Sequence, residues 1–136
     1  MQPITEYDRW LQQQVQFLQE RNFDSLDIGN LIEELEALGR AEKSAVKSLC
    51  YQILVHLLLI DYWSEEEGSK GHWAAEIDSF RFQLEDKLTT NYRQLLELEL
   101  PRIYGRARRY AIGKSGLKSD RFPADCPYKI DDILEN

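Results

Sequence analysis

Cysteine is scarce in this sequence, with Cys50 and Cys126 the two present. Residues 1–21 also lack the apolar core of a secretory leader, since Thr5, Glu6, Asp8 and Arg9 stand where it would be. Together these predict a cytoplasmic protein with reduced thiols. Glycine and proline are few, at seven and four, while leucine is abundant, which favours helices over a strand-rich sandwich. Long apolar runs are missing too. The longest, residues 53–60, is interrupted by His56 and is far shorter than the ~20 residues of a bilayer span, so no membrane is expected. No Gly-x-Gly-x-x-Gly, His-Glu-x-x-His or EF-hand frame occurs. Gly113-Lys114-Ser115 lacks both the upstream glycine and the strand of a phosphate loop. No catalytic residue and no cofactor are expected, and an enzyme is not favoured.

What is present is a chain of one-domain size, 136 residues with 43% hydrophobic and 30% charged content, enough to bury a core without staples. Its net charge of −7 is uneven. Residues 1–100 carry a surplus of ten negative charges, and residues 101–136 a surplus of three positive ones. The acidic bulk disfavours general nucleic-acid binding, which needs positive charge against phosphates.

Hydrophobic spacing predicts an all-α, single-domain bundle over 1–136 with about five helices. Tyr7, Trp10, Leu11, Val15 and Leu18 mark the first, capped by Thr5. Ile28, Leu31, Ile32, Leu35 and Leu38 mark a second after the cap Asp27, with Gly39 expected to stop or bend it. The third, residues 40–62, is apolar almost all round and should be central. A fourth starts near Ser69 and runs to about Thr89. A short piece over 91–98 follows, and Pro101 is expected to interrupt or begin the fifth helix, which Gly113 and Gly116 can end. An extended proline-rich tail, held by Phe122 and Tyr128, and a short terminal helical turn over 130–134 close the chain.

Five stretches carry a resemblance: YDRWL at 7–11, NLIEELEALG at 30–39, HLL at 56–58, WAAEIDSFR at 73–81 and FPADCPY at 122–128. On them the chain resembles the DUF29 family of small helical bacterial proteins, common in cyanobacteria. The resemblance implies a helical bundle and a bacterial, cytoplasmic setting. It implies no activity and assigns no residue a role.

Three functional expectations follow. The leading one is a cytoplasmic protein-interaction or regulatory module that binds a protein partner or forms a homodimer. The alternative is a metal-binding or enzymatic bundle centred on His56, which interrupts an apolar run, with Glu33 or Glu36 from an antiparallel neighbour. A hydrogen-bonded core histidine is the simpler account of His56. The second alternative is a nucleic-acid contact through the basic helix 102–118, where Arg102, Arg106 and Arg109 share a face and no acidic residue intervenes. Internal pairing of that helix with the acidic bulk is the simpler account. Cys126, beside Asp125, is expected to pin the tail rather than act as a nucleophile.

Overall fold

The computed structural model describes residues 5–135, which are helical without any strand. The elements are α1 (Glu6–Gln19), α2 (Ile28–Tyr62), α3 (Lys70–Lys87), α4 (Thr90–Ser115) and α5 (Ile130–Leu134). Single 3-10 turns lie at Phe23–Ser25 and Ser119–Arg121. The all-α class and the count of five helices hold, with a different partition of the chain. A single domain was expected. The described chain divides into two compact units, one ending at Arg40 and the other beginning at Ala41.

Two expected breaks are absent. Gly39 lies inside α2, which runs unbroken for 35 residues. A lone glycine weakens a helix by only about 1 kcal/mol, and good helix formers (Glu36, Ala37, Leu38, Arg40, Ala41, Glu42) flank it. Pro101 lies inside α4. Its missing N–H and ring clash cost about 3 kcal/mol in a helix interior. Burial of Leu96, Ile103, Tyr104, Ala107 and Ala111 along the same helix outweighs that, at roughly 1.5–3 kcal/mol per large side chain. The fused α2 is, by length and composition, apolar enough to cross a membrane, although 39% of its most apolar stretch is buried within the structure. The shorter run read from the sequence concealed this.

The first unit is a helical hairpin. Thr5 caps α1 through a reciprocal box with Asp8, in which the Asp8 N–H donates to Thr5 Oγ1 and the Thr5 N–H donates to Asp8 Oδ2. The helix ends in a Schellman arrangement, the Asn22 N–H donating to Phe17 O and the Arg21 N–H to Leu18 O. Arg21 takes the left-handed conformation there, at φ 58°, a position that ordinarily favours glycine. Three side chains then join α1 to the start of α2. Gln14, only 4% exposed, accepts from the Asp27 N–H at 2.8 Å. The Trp10 indole donates to Asp27 Oδ2 at 2.9 Å. Tyr7 donates to Glu34 Oε2 at 2.8 Å. These pairings run in opposite chain directions, so the two helices are antiparallel.

The second unit holds the hydrophobic core. Val46, Cys50, Ile53, Leu54, Leu58 and Leu59 of α2 pack with Trp73, Ile77 and Leu84 of α3, with Ile103 and Tyr104 of α4, and with Phe122, Ile130 and Ile133. Gly116, at φ 70°, ends α4 in the left-handed conformation. The tail then folds back. Phe122 is 1% exposed, Tyr104 donates to Pro123 O at 2.5 Å, and Tyr128 donates to Asp61 at 2.6 Å. Arg108 donates to Ser119 O at 2.7 Å, and Arg81 donates to the Asp132 and Ile133 carbonyls at 2.9 Å. The arginines thus supply donors to tail carbonyls that no helix satisfies.

Candidate functional site

The hairpin exposes an unusual amount of apolar surface. Of its described residues only Gln14 is buried; no apolar side chain is. Nine large ones stand exposed: Tyr7, Leu11, Val15 and Leu18 on α1, Phe23 in the turn, and Ile28, Ile32, Leu35 and Leu38 on α2. Their placement follows from helix geometry. Successive side chains turn by about 100°. On α1, Tyr7, Trp10 and Gln14 point toward α2, and Leu11, Val15 and Leu18 lie further round in the sense of chain advance. On α2, Asp27, Leu31 and Glu34 point toward α1, and Ile28, Ile32 and Leu35 lie further round in the same sense. Because the helices are antiparallel, equal rotations carry both stripes to one side of the hairpin. The result is a two-helix apolar face. Its α1 border is formed by Gln12 and Gln19, within a stretch, residues 10–19, that carries no charge. Its α2 border is formed by Glu33, Glu36 and Arg40.

A second feature lies in the other unit. Ser44, Lys47, Ser48 and Tyr51 on α2 face Glu99, Arg102, Ile103 and Arg106 on α4 across a cleft of about 480 Å³. Both sets repeat at intervals of three and four residues, so each presents a single helix face. Lys47 Nζ lies 2.8 Å from Glu99 Oε2, a buried oxygen that meets no other donor among the described residues. That ammonium, with Lys43 and Arg102 nearby, holds the Glu99 carboxyl below the usual carboxylate range. Arg102 and Arg106 pair with no carboxylate among the described residues. Arg102 acts on Glu99 through its charge without a direct ion pair. Arg109, expected beside Arg102 and Arg106, is exposed and does not line the cleft. Arg108, not singled out before, is used by the tail.

His56 has an ordinary partner. Its Nδ1 lies 2.7 Å from the Gln52 carbonyl one turn earlier, and its ring meets Phe80 edge-on at 5.5 Å. It borders a cavity of about 420 Å³ with His72, Glu66 and Glu76. Among the described residues no three His, Cys, Asp or Glu side chains are placed to hold a metal ion. Glu33 and Glu36 are not on a separate antiparallel helix, as the metal-site expectation required. They lie on α2, as His56 does, but in the first unit, while His56 belongs to the second. Cys50 is buried and Cys126 half-buried, both unpaired. Burial pushes the Cys50 thiol up to about 12 and raises that of Cys126. Neither environment generates a thiolate nucleophile.

The family model described as "Domain of unknown function DUF29" matches residues 4–136. The chain belongs to the DUF29 family. The match spans essentially the whole chain and assigns no activity. No curated protein and no solved structure matches it.

Proposed function

We propose that this DUF29 protein is a cytoplasmic interaction module that associates with a second copy of itself through the hairpin face. One observation carries the proposal: the hairpin buries no apolar side chain of its own while exposing nine large ones. Monomeric soluble proteins rarely leave so much contiguous apolar surface uncovered. The area suits a dimer. At roughly 150–250 Å² for a large side chain, nine about half exposed offer on the order of 700–1,100 Å². A standard interface takes about 800 Å² from each partner.

Charge supports a second copy over a charged partner. In a two-fold arrangement that sets α1 against the α2 of the other copy, the Glu33–Glu36 border meets a glutamine border, not another row of carboxylates. The product is a four-helix layer with an interior seam of leucine, isoleucine and valine. The unpaired cysteines suit a reducing compartment.

Sedimentation equilibrium of the full chain from low micromolar to near-millimolar concentration tests this. A monomer–dimer equilibrium with a dissociation constant in or below that range is expected. A strictly monomeric species throughout would remove the proposal.

A further inference from the structure

We infer that the cleft between α2 and α4 is a binding site for a phosphomonoester dianion carried on a small organic molecule. The inference does not depend on self-association, because the cleft and the hairpin face share no residue. Its lining has three cations (Lys47, Arg102 and Arg106) against one carboxylate, Glu99. The net of two positive charges matches the charge of a phosphomonoester near neutral pH.

The donors are of the right kind. Two guanidinium groups one helical turn apart, neither committed to a carboxylate among the described residues, can each present a planar fork to phosphate oxygens. Ser44 and Ser48 add hydroxyl donors from the facing helix, and Lys47 adds a compact ammonium. Ile103 and the ring of Tyr51 give the cleft an apolar wall against which the organic part can lie, and about 480 Å³ falls within the usual size of small-molecule sites. Bare phosphate would leave that wall unused. An extended nucleic-acid backbone needs a longer basic track than the three cations of this cleft, so the favoured ligand is small.

Glu99 gives the inference its sharpest test. Its carboxylate competes with an incoming phosphate for Lys47, so removing its charge should tighten binding. A merely structural role for the Lys47–Glu99 pair predicts the reverse, since the unpaired ammonium would loosen the cleft.

The experiment is titration calorimetry on the full chain at low salt, with phenyl phosphate, inorganic phosphate and a single-stranded oligonucleotide as separate probes. Phenyl phosphate should bind, and inorganic phosphate should bind several-fold more weakly. Arg102→Ala or Arg106→Ala should each weaken binding about tenfold or more, each guanidinium supplying charge-assisted hydrogen bonds. Glu99→Gln should strengthen it several-fold. Both arginines are exposed, so their replacement leaves the fold intact, which a thermal melt checks. Absence of phenyl phosphate binding at 10-millimolar ligand (on the order of the weakest specific affinities) would overturn the inference. So would an unchanged or weakened affinity in Glu99→Gln, equal binding of inorganic phosphate, or tighter binding of the oligonucleotide.

Discussion

Replacing Leu35 by glutamate tests the hairpin interface without touching the core. Leu35 is 64% exposed on α2, at the middle of the apolar face. Complete burial of a leucine is worth roughly 1.5–3 kcal/mol, so covering its exposed part contributes about 1–2 kcal/mol per copy. A two-fold interface counts every substitution twice. The dimer should lose about 2–4 kcal/mol, which is roughly 30- to 700-fold in dissociation constant, before any repulsion between the new carboxylates. The isolated protomer should hardly notice, because exposed substitutions usually stay within about 0.5 kcal/mol. Sedimentation equilibrium reads the association, and a melt at low concentration reads the protomer. Leu98→Glu serves as the control, since Leu98 is 80% exposed on α4, outside the hairpin. If both variants shift the dissociation constant equally, or if Leu35→Glu shifts only the protomer melt, the interface has been assigned to the wrong surface.

Three further outcomes are expected. Gln14→Ala removes the acceptor for the Asp27 N–H and should cost about 1–2 kcal/mol of local stability, seen as faster amide exchange in α1 and the first turns of α2. Arg21→Gly relieves the left-handed strain at φ 58° and should stabilise the hairpin by roughly 0.5–1 kcal/mol, slowing the same amides. Acid should destabilise the chain through two carboxylates. Bonds from Arg121 above all, then from the backbone and Ser64, hold Glu65 down to about 2, and bonds from Asn30 and then Trp10 lower Asp27. Groups lowered in the folded state stabilise it fully above their unfolded value near 4 and lose that contribution as pH falls through the folded value. Unfolding followed from pH 6 to 2 should therefore steepen below about pH 4, and Glu65→Gln should flatten the part of that loss nearest pH 2.

Sequence carried much of the architecture because helical periodicity is a local signal. The stripe at Val46, Cys50, Ile53 and Leu57–Leu58 needed no knowledge of neighbours, and the part of α2 after Arg40 is central to the second unit for the reason the pattern gave. The tail was legible too, since prolines forbid a helix there and Phe122 is too large an apolar group to leave in water. What did not appear was a helix end at Gly39 or at Pro101. At Pro101 the competing term is burial of side chains along α4 against partners distant in sequence, which no local rule contains, while at Gly39 the helix formers on either side outweigh one glycine. The candidate sites depend on the same kind of long-range packing. Arg102 and Arg106 were identified by spacing on one helix, but Ser44, Lys47 and Tyr51 come from a helix about sixty residues earlier, and only packing brings them together. Gln14 was invisible because a glutamine in an amphipathic helix normally faces solvent. Its only sequence signal was its position inside the apolar arc of α1, between Trp10 and Leu18.

The apolar periodicity of α1 and early α2 was read as a set of core positions, and the structure gives that signal a different meaning. An amphipathic stripe shows that a surface must be covered, not that the same chain covers it. In the second unit the stripes of α2, α3 and α4 meet one another, and eighteen apolar residues are buried. In the hairpin, polar bonds at Gln14, Trp10 and Tyr7 hold two helices together, while the apolar arc turns outward. Two helices with a single seam enclose no interior, and segments below about 40 residues rarely hold a fold without outside support. A second hairpin supplies the missing layer, so order in this segment should depend on association. Amide exchange in α1 should slow as protein concentration rises through the dissociation constant, while exchange in the core of the second unit stays constant. Exchange in α1 that is equally slow at every concentration would mean that the polar bonds alone hold the hairpin, and the apolar face would then have no structural need of a partner.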